Sequence, residues 1–359
     1  MTNRERVVST LLGEPVDKTA CISWLGLTPW GETLLRWREE SGFSDLNVEE
    51  YFHLDPGFAV VHLEYGPFPP FEERVLEDQG DYIVYTTRNG IKARNRKDKG
   101  SMPDFLEHPI KTEADWISYK RDRLEADFGG RFPDLGAFAA ASAASDRPVQ
   151  VGTFPWGAFG TARDLLGTEE LLIGFYDMPD LIKDIMLTYT RLWISLYDRV
   201  SGQVGIDHIH IWEDMSGKQG SLISMEMVEE FMMPCYDLIA DFARLKGIPL
   251  VSVDTDGRVA ELLPVMMNHG MNAMMPFEVQ AGNDILAIRK EYPDLGIFGG
   301  LDKNALAEGG REIGRELDRA EKMLAAGRWI PGFDHLIPPN VAWKDFKYFM
   351  AEFMKLISR

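Results

Sequence analysis

His208-Ile-His-Ile-Trp-Glu-Asp214 is a short run of apolar and aromatic residues that ends in two acids, and four later runs follow a similar pattern. They are Val251-Ser-Val-Asp-Thr-Asp256, Met274-Met-Pro-Phe-Glu278, Ile297-Phe-Gly-Gly-Leu-Asp302 and Trp329-Ile-Pro-Gly-Phe-Asp-His335. Strands that alternate with helices and carry polar residues at their C-terminal ends are typical of an enzyme built on a parallel α/β barrel. We therefore expect the functional residues at these strand ends.

Runs rich in β-branched and aromatic residues, bounded by turn residues, predict eight strands. They lie near 20–24, 58–63, 149–153, 207–212, 250–254, 272–276, 295–299 and 328–331. Segments with helical spacing follow the later strands, at 225–246, 258–268, 282–291, 303–326 and 342–357. Connections of this length indicate parallel crossovers and not hairpins. The sequence thus predicts an α/β fold, a (β/α)8 TIM barrel, in one domain spanning 1–359.

The region between the second and third predicted strands, 64–147, is less regular. A proline-rich stretch, Gly66-Pro-Phe-Pro-Pro-Phe71, precedes two alternating runs that Asn89-Gly90 separates. Asn-Gly between alternating runs is the strongest short-range signal for a hairpin. We expect an inserted antiparallel hairpin that forms a rim or lid of the barrel.

Composition restricts the class of protein. The 359 residues are 45% hydrophobic, which is ample for one large core, and the formal net charge of -19 opposes binding to nucleic acid or to an anionic membrane. Residues 1–15 lack the apolar centre of a signal peptide, and no apolar run approaches the roughly 18 residues that span a bilayer. Two cysteines, Cys21 and Cys235, cannot form a disulfide framework, so the expected location is the reducing cytoplasm.

Alternation along 207–212 predicts that His208, His210 and Trp212 share one face of a strand. Ile209 and Ile211 on the other face suit the layer beneath the helices, which leaves the two histidines inside the barrel. Buried polar groups need partners there, so His208 can equally be a packing residue with hydrogen bonds. His210 lies nearer the catalytic end of the strand.

The following strand predicts a second inward-facing polar set. Ser252 and Asp254 face the interior, and Asp256 follows at the turn. Two aspartates one residue apart can bind a metal ion, orient a histidine or cap the next helix. Glu278 and Asp302 follow the next two strands, and each is either a functional carboxylate or an ordinary helix cap.

Four tryptophans, Trp24, Trp30, Trp156 and Trp212, lie at or just beyond predicted strand ends. This placement suits a pocket for a planar or apolar ligand, although ordinary core is the alternative. The chain has no G-x-S-x-G elbow, no Walker loop and no H-E-x-x-H motif. Nucleophilic serine or cysteine chemistry therefore has no support in the sequence.

These residues resemble the uroporphyrinogen decarboxylase superfamily, which also contains corrinoid-dependent methyltransferases that act on methyl-sulfur, methanol-derived and aryl methyl ether substrates. The fold that the resemblance implies is again a (β/α)8 barrel. The similar segments run in order along the chain and are Arg4-Glu-Arg-Val7, Leu11-Leu-Gly-Glu-Pro15, Gly152-Thr-Phe-Pro-Trp156, Asp254-Thr-Asp-Gly257, Pro276-Phe-Glu278, Gly299-Gly-Leu-Asp302 and Ile330-Pro-Gly-Phe-Asp-His335.

The chain departs from the decarboxylase pattern after the first strand. The decarboxylase holds its propionate-rich tetrapyrrole with a methionine-arginine-glutamine-alanine-glycine-arginine motif, whereas this chain reads Ser23-Trp-Leu-Gly-Leu-Thr-Pro-Trp-Gly31. A neutral, aromatic segment would hold a substrate with many carboxylates poorly. His335 matches the C-terminal active-site histidine of the decarboxylase, so decarboxylation stays open.

The chain also departs from the zinc site of the thiol-directed methyltransferases. Those proteins bind zinc through a histidine-x-cysteine at the fifth strand and a cysteine at the eighth, where this chain has Asp254-Thr-Asp256 and Phe333-Asp-His335. Without thiolate ligands a thiol-activating zinc site is disfavoured. Carboxylate and imidazole can still hold zinc, magnesium or manganese, with Asp254, Asp256 and His335 as the candidate ligands.

What remains resembles the methyltransferase components of anaerobic O-demethylases, in which a methyl ether is cleaved and its methyl group passes to cobalt(I) on a separate corrinoid protein. The leaving oxygen must be protonated or bound by a metal. We expect His210 or Glu213 to be the general acid and Asp254 to orient it or hold a metal, with Glu278 and His335 as further catalytic candidates. The expected substrate contacts are Trp24, Trp156, Trp212 and Asp302.

The expected partners are a small methyl donor and a corrinoid protein that contacts the barrel mouth and the 64–100 insertion. The resemblance also implies a homodimer, and no tightly bound cofactor is expected other than an optional zinc or magnesium ion. One alternative is cofactor-free decarboxylation of a carboxylate by His335 and one aspartate. The other is a non-catalytic barrel that binds a small molecule and whose acidic residues only cap helices.

Overall fold

The computed structural model describes residues 1–97, 103–125 and 129–358, and its main sheet has seven parallel strands. The strands of the described residues are β1 (Ala59–Val60), β2 (Arg74–Gln79), β3 (Tyr82–Thr86), β4 (Lys92–Arg96), β5 (Asp104–Glu107), β6 (Val149–Val151), β7 (His208–Trp212), β8 (Ser216–Gly217), β9 (Gly220–Ser221), β10 (Leu250–Asp254), β11 (Ala273–Met275), β12 (Gly296–Phe298) and β13 (Trp329–Ile330). The main sheet runs in the order β1-β6-β7-β10-β11-β12-β13. Each strand therefore lies beside the next parallel strand in the chain, as in a TIM-like barrel.

Helices connect the parallel strands, as parallel crossovers require. In the described residues they are α1 (Asn3–Leu12), α2 (Gly31–Ser41), α3 (Val48–Phe52), α4 (Glu113–Tyr119), α5 (Leu135–Ala143), α6 (Ala158–Leu166), α7 (Thr168–Asp177), α8 (Pro179–Ser201), α9 (Met225–Met227), α10 (Met233–Lys246), α11 (Leu262–Asn268), α12 (Ile285–Glu291), α13 (Lys303–Glu308), α14 (Gly310–Ala326) and α15 (Trp343–Ile357). The helix α8 shows why they form, because Ile182, Ile185, Tyr189 and Trp193 recur at helical spacing and are buried. None of the helices in the described ranges is long and apolar enough to cross a membrane.

Alternation along β7 and β10 places their side chains as predicted. Ile209 and Val251 belong to the main buried core that includes the helices, whereas His208 packs against Phe58 and Phe298 inside the sheet. In register, His208 faces Leu250, His210 faces Ser252 and Trp212 faces Asp254. The polar residues of two neighbouring strands thus point to the same interior.

The strand predicted at 20–24 is wrong. In the described residues this segment forms only one bridge, between Ile22 and Asp55. The reason is that Asp55 hydrogen-bonds to both backbone groups of Cys21. The Asp55 carboxylate Oδ2 accepts the Cys21 N–H at 3.0 Å, and the Asp55 N–H donates to the Cys21 carbonyl at 2.8 Å. A side chain thus replaces part of the backbone ladder that a strand would form.

The same segment nevertheless closes the interior of the sheet. Ala20 and Ile22 belong to a buried cluster with Leu250, Ala273 and Ile330, which come from β10, β11 and β13. The next residues pair with the end of the chain, since the Phe333 N–H donates to the Gly26 carbonyl at 2.8 Å and the Ile337 N–H to the Thr28 carbonyl at 2.9 Å. We call segment 20–28 the seam, because it fills the gap between β13 and β1 largely without strand pairing.

A four-stranded antiparallel sheet, in the order β2-β3-β4-β5, lies between β1 and β6 in the chain. Tyr82 pairs with Arg96 and Thr86 with Lys92, so the Asn89-Gly90 turn joins β3 to β4. Gly90 has a φ of 86°, which glycine adopts without strain. This sheet approaches the barrel where the Arg88 guanidinium pairs with Glu64 at 2.8 Å.

Candidate active site

The C-terminal ends of the parallel strands, which we call the mouth, bring together acidic and imidazole side chains. His210 from β7 and Asp254 from β10 are neighbours, with His210 Nε2 3.9 Å from Asp254 Oδ2. His210 is 9% exposed and Asp254 is half-buried. The distance is longer than a hydrogen bond, so a ligand oxygen could contact both groups.

His210 also ends a chain of buried hydrogen bonds that runs down the barrel interior. Its Nδ1 lies 3.0 Å from Ser252 Oγ, and the same hydroxyl lies 2.6 Å from His208 Nε2. His208 Nδ1 in turn lies 3.0 Å from Gln150 Oε1, and Gln150 Nε2 donates to the Gly152 carbonyl at 3.0 Å. Each of these buried polar side chains therefore has partners.

The protonation of the pair follows from its surroundings. Burial raises the pKa of the Asp254 carboxyl well above its usual value, and the carboxylates of Asp256 and Asp214 raise it further. Burial lowers the pKa of His210 to about 4. Burial thus favours the protonated acid at Asp254 and the uncharged imidazole at His210.

A second pair lies nearer the outside of the mouth. His335 Nε2 is 3.8 Å from Asp256 Oδ2, and the His335 ring stacks on Trp30 with centroids 6.2 Å apart. Burial, followed by repulsion from Glu278, raises the pKa of Asp256 to about 7. Burial, followed by the charge of Lys303, lowers the pKa of His335.

Lys303 is the cation of this second group. Its Nζ lies 3.3 Å from Asp334 Oδ1 and 3.9 Å from Glu278 Oε1. Asp334 is fully buried and also accepts the backbone N–H groups of Val279 and Lys303, so it ties together the loops that follow β11, β12 and β13. Asp334 therefore positions both the lysine and the neighbouring loops.

Sequence reasoning placed Trp30 near a strand end but missed Lys303 as a residue of the mouth. Lys303 directly follows Asp302 after the Gly299-Gly300 strand end, so reading one residue further was the available signal. Trp30 carried a weaker signal, because it lies beyond a strand that does not form. Its neighbour in space, His335, is 305 residues away in the chain, and no local pattern predicts that contact.

Glu213 occupies a different place from the one that a general acid needs. Both of its carboxylate oxygens are engaged, by the backbone N–H groups of Ala158, Phe159 and Gly160 at 2.7–3.1 Å and by the Tyr236 hydroxyl at 3.1 Å. It is fully buried, and burial raises its pKa to about 7 against these hydrogen bonds, which lower it. The geometry makes Glu213 the cap of α6.

The three tryptophans expected to contact the substrate do not form one pocket. Trp24 lies inside the barrel, with its Nε1 donating to the Pro331 carbonyl at 3.0 Å, and Trp212 contacts the exposed ring of Phe154 at 4.7 Å. Trp156 turns toward the helices and stacks on Tyr189. It also lines a cleft of about 500 Å³ between the strand ends and the antiparallel sheet.

Asp302 and Glu278 each make a backbone contact. Asp302 is the N-cap of α13, where its Oδ1 accepts the Asn304 N–H at 2.9 Å, and its Oδ2 accepts from Gln280 at 3.1 Å. Glu278 Oε2 accepts the Gly257 N–H at 3.0 Å, while its Oε1 faces Lys303. Asp302 thus does the work of a helix cap, and Glu278 links two strand ends.

The candidate metal ligands stand in two separate pairs. Asp254 lies beside His210, and Asp256 lies beside His335. Their oxygen and nitrogen donors suit zinc or magnesium in chemical type. Among residues 1–97, 103–125 and 129–358, however, no three histidine, cysteine or acidic side chains are arranged to hold one ion.

Comparisons with known proteins point to one family and one fold. The family model described as uroporphyrinogen decarboxylase (URO-D) matches residues 81–356. A methyltransferase from Methanosarcina mazei has a similar structure, with a TM-score of 0.63 over 99% of both chains and 17% sequence identity. At this identity the similarity speaks for the fold alone. No curated protein sequence matches significantly.

Proposed function

This chain belongs to the uroporphyrinogen decarboxylase family, and from that premise we propose that it transfers a methyl group from a small methyl ether, such as an aryl ether, to a corrinoid carried by a separate protein. One observation carries the proposal, namely the Asp254 carboxyl at the mouth, 3.9 Å from His210 Nε2, where burial raises the pKa of the acid. A carboxylic acid in this place can protonate an ether oxygen as the methyl group leaves.

The charge of the mouth supports a substrate without several carboxylates. Asp256 and Glu278 lie at the mouth, and a polyanion such as a tetrapyrrole rich in propionates would bind unfavourably beside these acidic groups. The nearby cations are engaged, since Arg163 Nη1 lies 2.8 Å from Asp214 Oδ2 and Lys303 pairs with Asp334. A neutral ether meets neither repulsion nor an unmet charge.

The proposed step uses the proton of Asp254. The ether oxygen binds within hydrogen-bonding distance of the Asp254 carboxyl. As the C–O bond breaks, its electron pair stays on the oxygen, the oxygen takes the proton, and the methyl group passes to the acceptor, whose cobalt(I) supplies the pair for the new bond. The Asp254 carboxylate, whose pKa burial raises, then takes up a proton from solvent at the mouth before the next turnover.

An acceptor carried by a separate protein fits the shape of the mouth. Phe154 and Trp30 border it with exposed rings, 62% and 42% accessible. Exposed aromatic side chains beside polar ones are the kind of surface that partner proteins bury. We propose that the corrinoid protein contacts this edge and the antiparallel sheet; residues 98–100 of the expected 64–100 surface lie outside the described ranges.

A divalent metal is a second way to stabilise the leaving oxygen. Asp254, Asp256 and His335 would hold the ion, which would supply Lewis acidity at the ether oxygen. Because the donors stand as two separate pairs, the steps above use the proton of Asp254 instead. Elemental analysis of the purified wild-type protein and of Asp254→Ala tests this point. Stoichiometric metal in the wild type that the variant loses would favour Lewis-acid catalysis over a general acid.

The decisive experiment measures demethylation of a panel of methyl aryl ethers with free cob(I)alamin as the acceptor. We expect phenol release by the wild-type protein and a loss of about a thousandfold in Asp254→Asn, the size typical of a missing general acid. Asp241→Asn is the matched control, because Asp241 lies on the surface of α10 and pairs only with Arg244 in the described contacts. Wild-type turnover by Asp254→Asn would contradict the proposal.

Decarboxylation is the second candidate, and the His335–Asp256 pair is the observation that favours it. It predicts release of carbon dioxide from a carboxylate substrate in the absence of any corrinoid. It also predicts that His335→Gln abolishes the reaction while Asp254→Asn reduces it less. Ligand-induced stabilisation without turnover of any substrate would favour a binding barrel instead.

A further inference from the structure

Hydrogen bonds join the side chains of Gln150, His208, Ser252 and His210 into a buried network that we call the relay. Only one assignment of donors and acceptors satisfies all of these hydrogen bonds. We propose that Gln150, His208 and Ser252 are positioning residues that fix the tautomer of His210, with hydrogen on Nδ1 and the lone pair of Nε2 directed toward Asp254. The catalytic meaning of this assignment rests on the proposed function. The tautomer itself does not, and it can be measured without a substrate.

The assignment of donors and acceptors starts at Gln150. Its Nε2 donates to the Gly152 carbonyl at 3.0 Å, so the amide cannot be flipped without setting two oxygens against each other. Its Oε1 can only accept, and it faces His208 Nδ1 at 3.0 Å. The hydrogen of His208 therefore lies on Nδ1.

The position of the hydrogen on His208 then fixes the role of the Ser252 hydroxyl. The His208 ring is 1% exposed, and both of its nitrogens face uncharged groups, which keeps the ring neutral. A neutral ring with hydrogen on Nδ1 must accept at Nε2. The Ser252 hydroxyl, 2.6 Å away, therefore donates its only hydrogen to His208.

Ser252 then sets His210. Having donated to His208, the hydroxyl can only accept from the second histidine, whose Nδ1 lies 3.0 Å away. His210 must carry its hydrogen there, and its Nε2 keeps a lone pair that faces Asp254 Oδ2 at 3.9 Å. In the described residues no hydrogen-bond donor lies against this nitrogen. A lone pair facing Asp254 favours the protonated form of that acid, because it offers the carboxylate no hydrogen to accept.

This arrangement has a functional consequence. With the other tautomer, His210 would present an N–H to the mouth, and Asp254 would be drawn toward the charged form that cannot protonate a leaving group. The relay keeps an acceptor and not a donor facing Asp254, which favours the protonated acid that the proposed reaction uses. None of Gln150, His208 and Ser252 touches the mouth, so they act through His210.

The test is nitrogen-15 NMR of histidine-labelled full-length protein without ligand, at neutral pH. Two-bond proton–nitrogen correlations distinguish a ring with hydrogen on Nδ1 from one with hydrogen on Nε2, and the spectrum of His210→Gln assigns the His210 signals. We expect hydrogen on Nδ1 in the wild type. In Ser252→Ala we expect a mixture or hydrogen on Nε2, because Nδ1 has lost its acceptor.

Two further variants separate the assignment of donors and acceptors from packing. Gln150→Leu removes the acceptor that fixes the hydrogen on His208 Nδ1, so we expect a mixture of His210 tautomers. Thr190→Val removes another buried hydroxyl, which donates to the Met186 carbonyl within α8, and should leave the tautomer unchanged. Hydrogen on Nε2 in the wild type, or an unchanged His210 signal in Ser252→Ala, would overturn the inference.

Kinetics gives the catalytic reading. In the ether assay Ser252→Ala should lower kcat about tenfold with little change in KM, as expected for the loss of one hydrogen bond that acts in the transition state. An equal rise in KM would contradict a positioning role. If the wild type shows no methyl transfer but carries hydrogen on Nδ1 of His210, the proposed function fails and the tautomer assignment stands.

Discussion

Asp256 shows how the mouth shifts the protonation of its acids. Its carboxylate lies near Glu278, Asp214 and Asp334, and only Lys303 among the groups that act on its pKa opposes them with a positive charge. Burial and repulsion together raise its pKa to about 7. The folded protein is therefore most stable, as far as this residue is concerned, when the carboxyl is protonated.

We expect Asp256→Asn to stabilise the protein more at pH 8 than at pH 5. The unfolded carboxyl titrates near 3.8 and the folded one near 7, so the wild type loses stability from this group as the pH rises through that window. The gain at pH 8 should be about 1 kcal/mol, since the side chain is 39% exposed and water screens the repulsion. Urea unfolding at both pH values measures it, and an equal gain at both would contradict the assigned pKa.

At the scale of single elements, the buried Glu213 carboxylate caps the N-terminus of α6. Glu213 leaves the end of β7 and receives the first three backbone N–H groups of α6, beside the Tyr236 hydroxyl from α10. The helix begins at Gly157 as its N-cap, without a side-chain cap of its own. Glu213 supplies that cap from a distant part of the chain.

We expect Glu213→Gln to lower the free energy of unfolding by about 2–3 kcal/mol, because the new amide NH2 would face N–H donors and leave them unpaired. Glu169→Gln, in the exposed first turn of α7, is the matched control and should change little. Denaturant unfolding measures both. A stable Glu213→Gln protein that has lost methyl transfer would instead give Glu213 the role of general acid.

Local patterns predicted the parts of the site that depend on one strand. Alternation alone placed His208, His210, Ser252 and Asp254 inside the barrel, because side chains along a strand alternate by geometry. Helix capping by Asp302, at the start of α13, was likewise one of the two roles that its position allowed. Features of period and capping are local, so a single sequence contains them.

Contacts between distant segments were beyond such reasoning. Glu213 binds a helix 53–55 residues earlier in the chain, and the orientation of Trp156 depends on Tyr189 of another helix. The expected strand at 20–24 had the right composition, yet Asp55 satisfies the backbone that a neighbouring strand would have paired. Composition indicates which secondary structure a segment favours, but its tertiary contacts decide which one it forms.

For the whole molecule, the weak point of the main sheet is the seam. Strands β7 and β10 pair over five residues, whereas the seam makes a single bridge to Asp55. Ala20 and Ile22 of the seam make apolar contacts with the interior. Regions with few backbone hydrogen bonds are the first to open locally.

We therefore expect the backbone amides of residues 22–24 to exchange with deuterium faster than those of His208–Trp212 and Leu250–Asp254. Peptide-level hydrogen exchange followed by mass spectrometry measures this, and the strand β11 serves as an internal control. Equal protection in the seam and in β7 would show that side chains alone hold the segment as firmly as a ladder does.

The seam has a consequence for how the chain is made. Trp24 donates to Pro331, Thr33 to Ile337 and Trp37 to Val341, contacts that join residues 304–307 positions apart. A ribosome adding about 5–20 residues per second needs on the order of 15–60 s to produce these partners after the N-terminal segment has emerged. During that time Trp24, Thr33 and Trp37 lack these hydrogen-bond partners. The segment that holds them therefore waits longer for its native contacts during translation than segments paired with near neighbours in the chain.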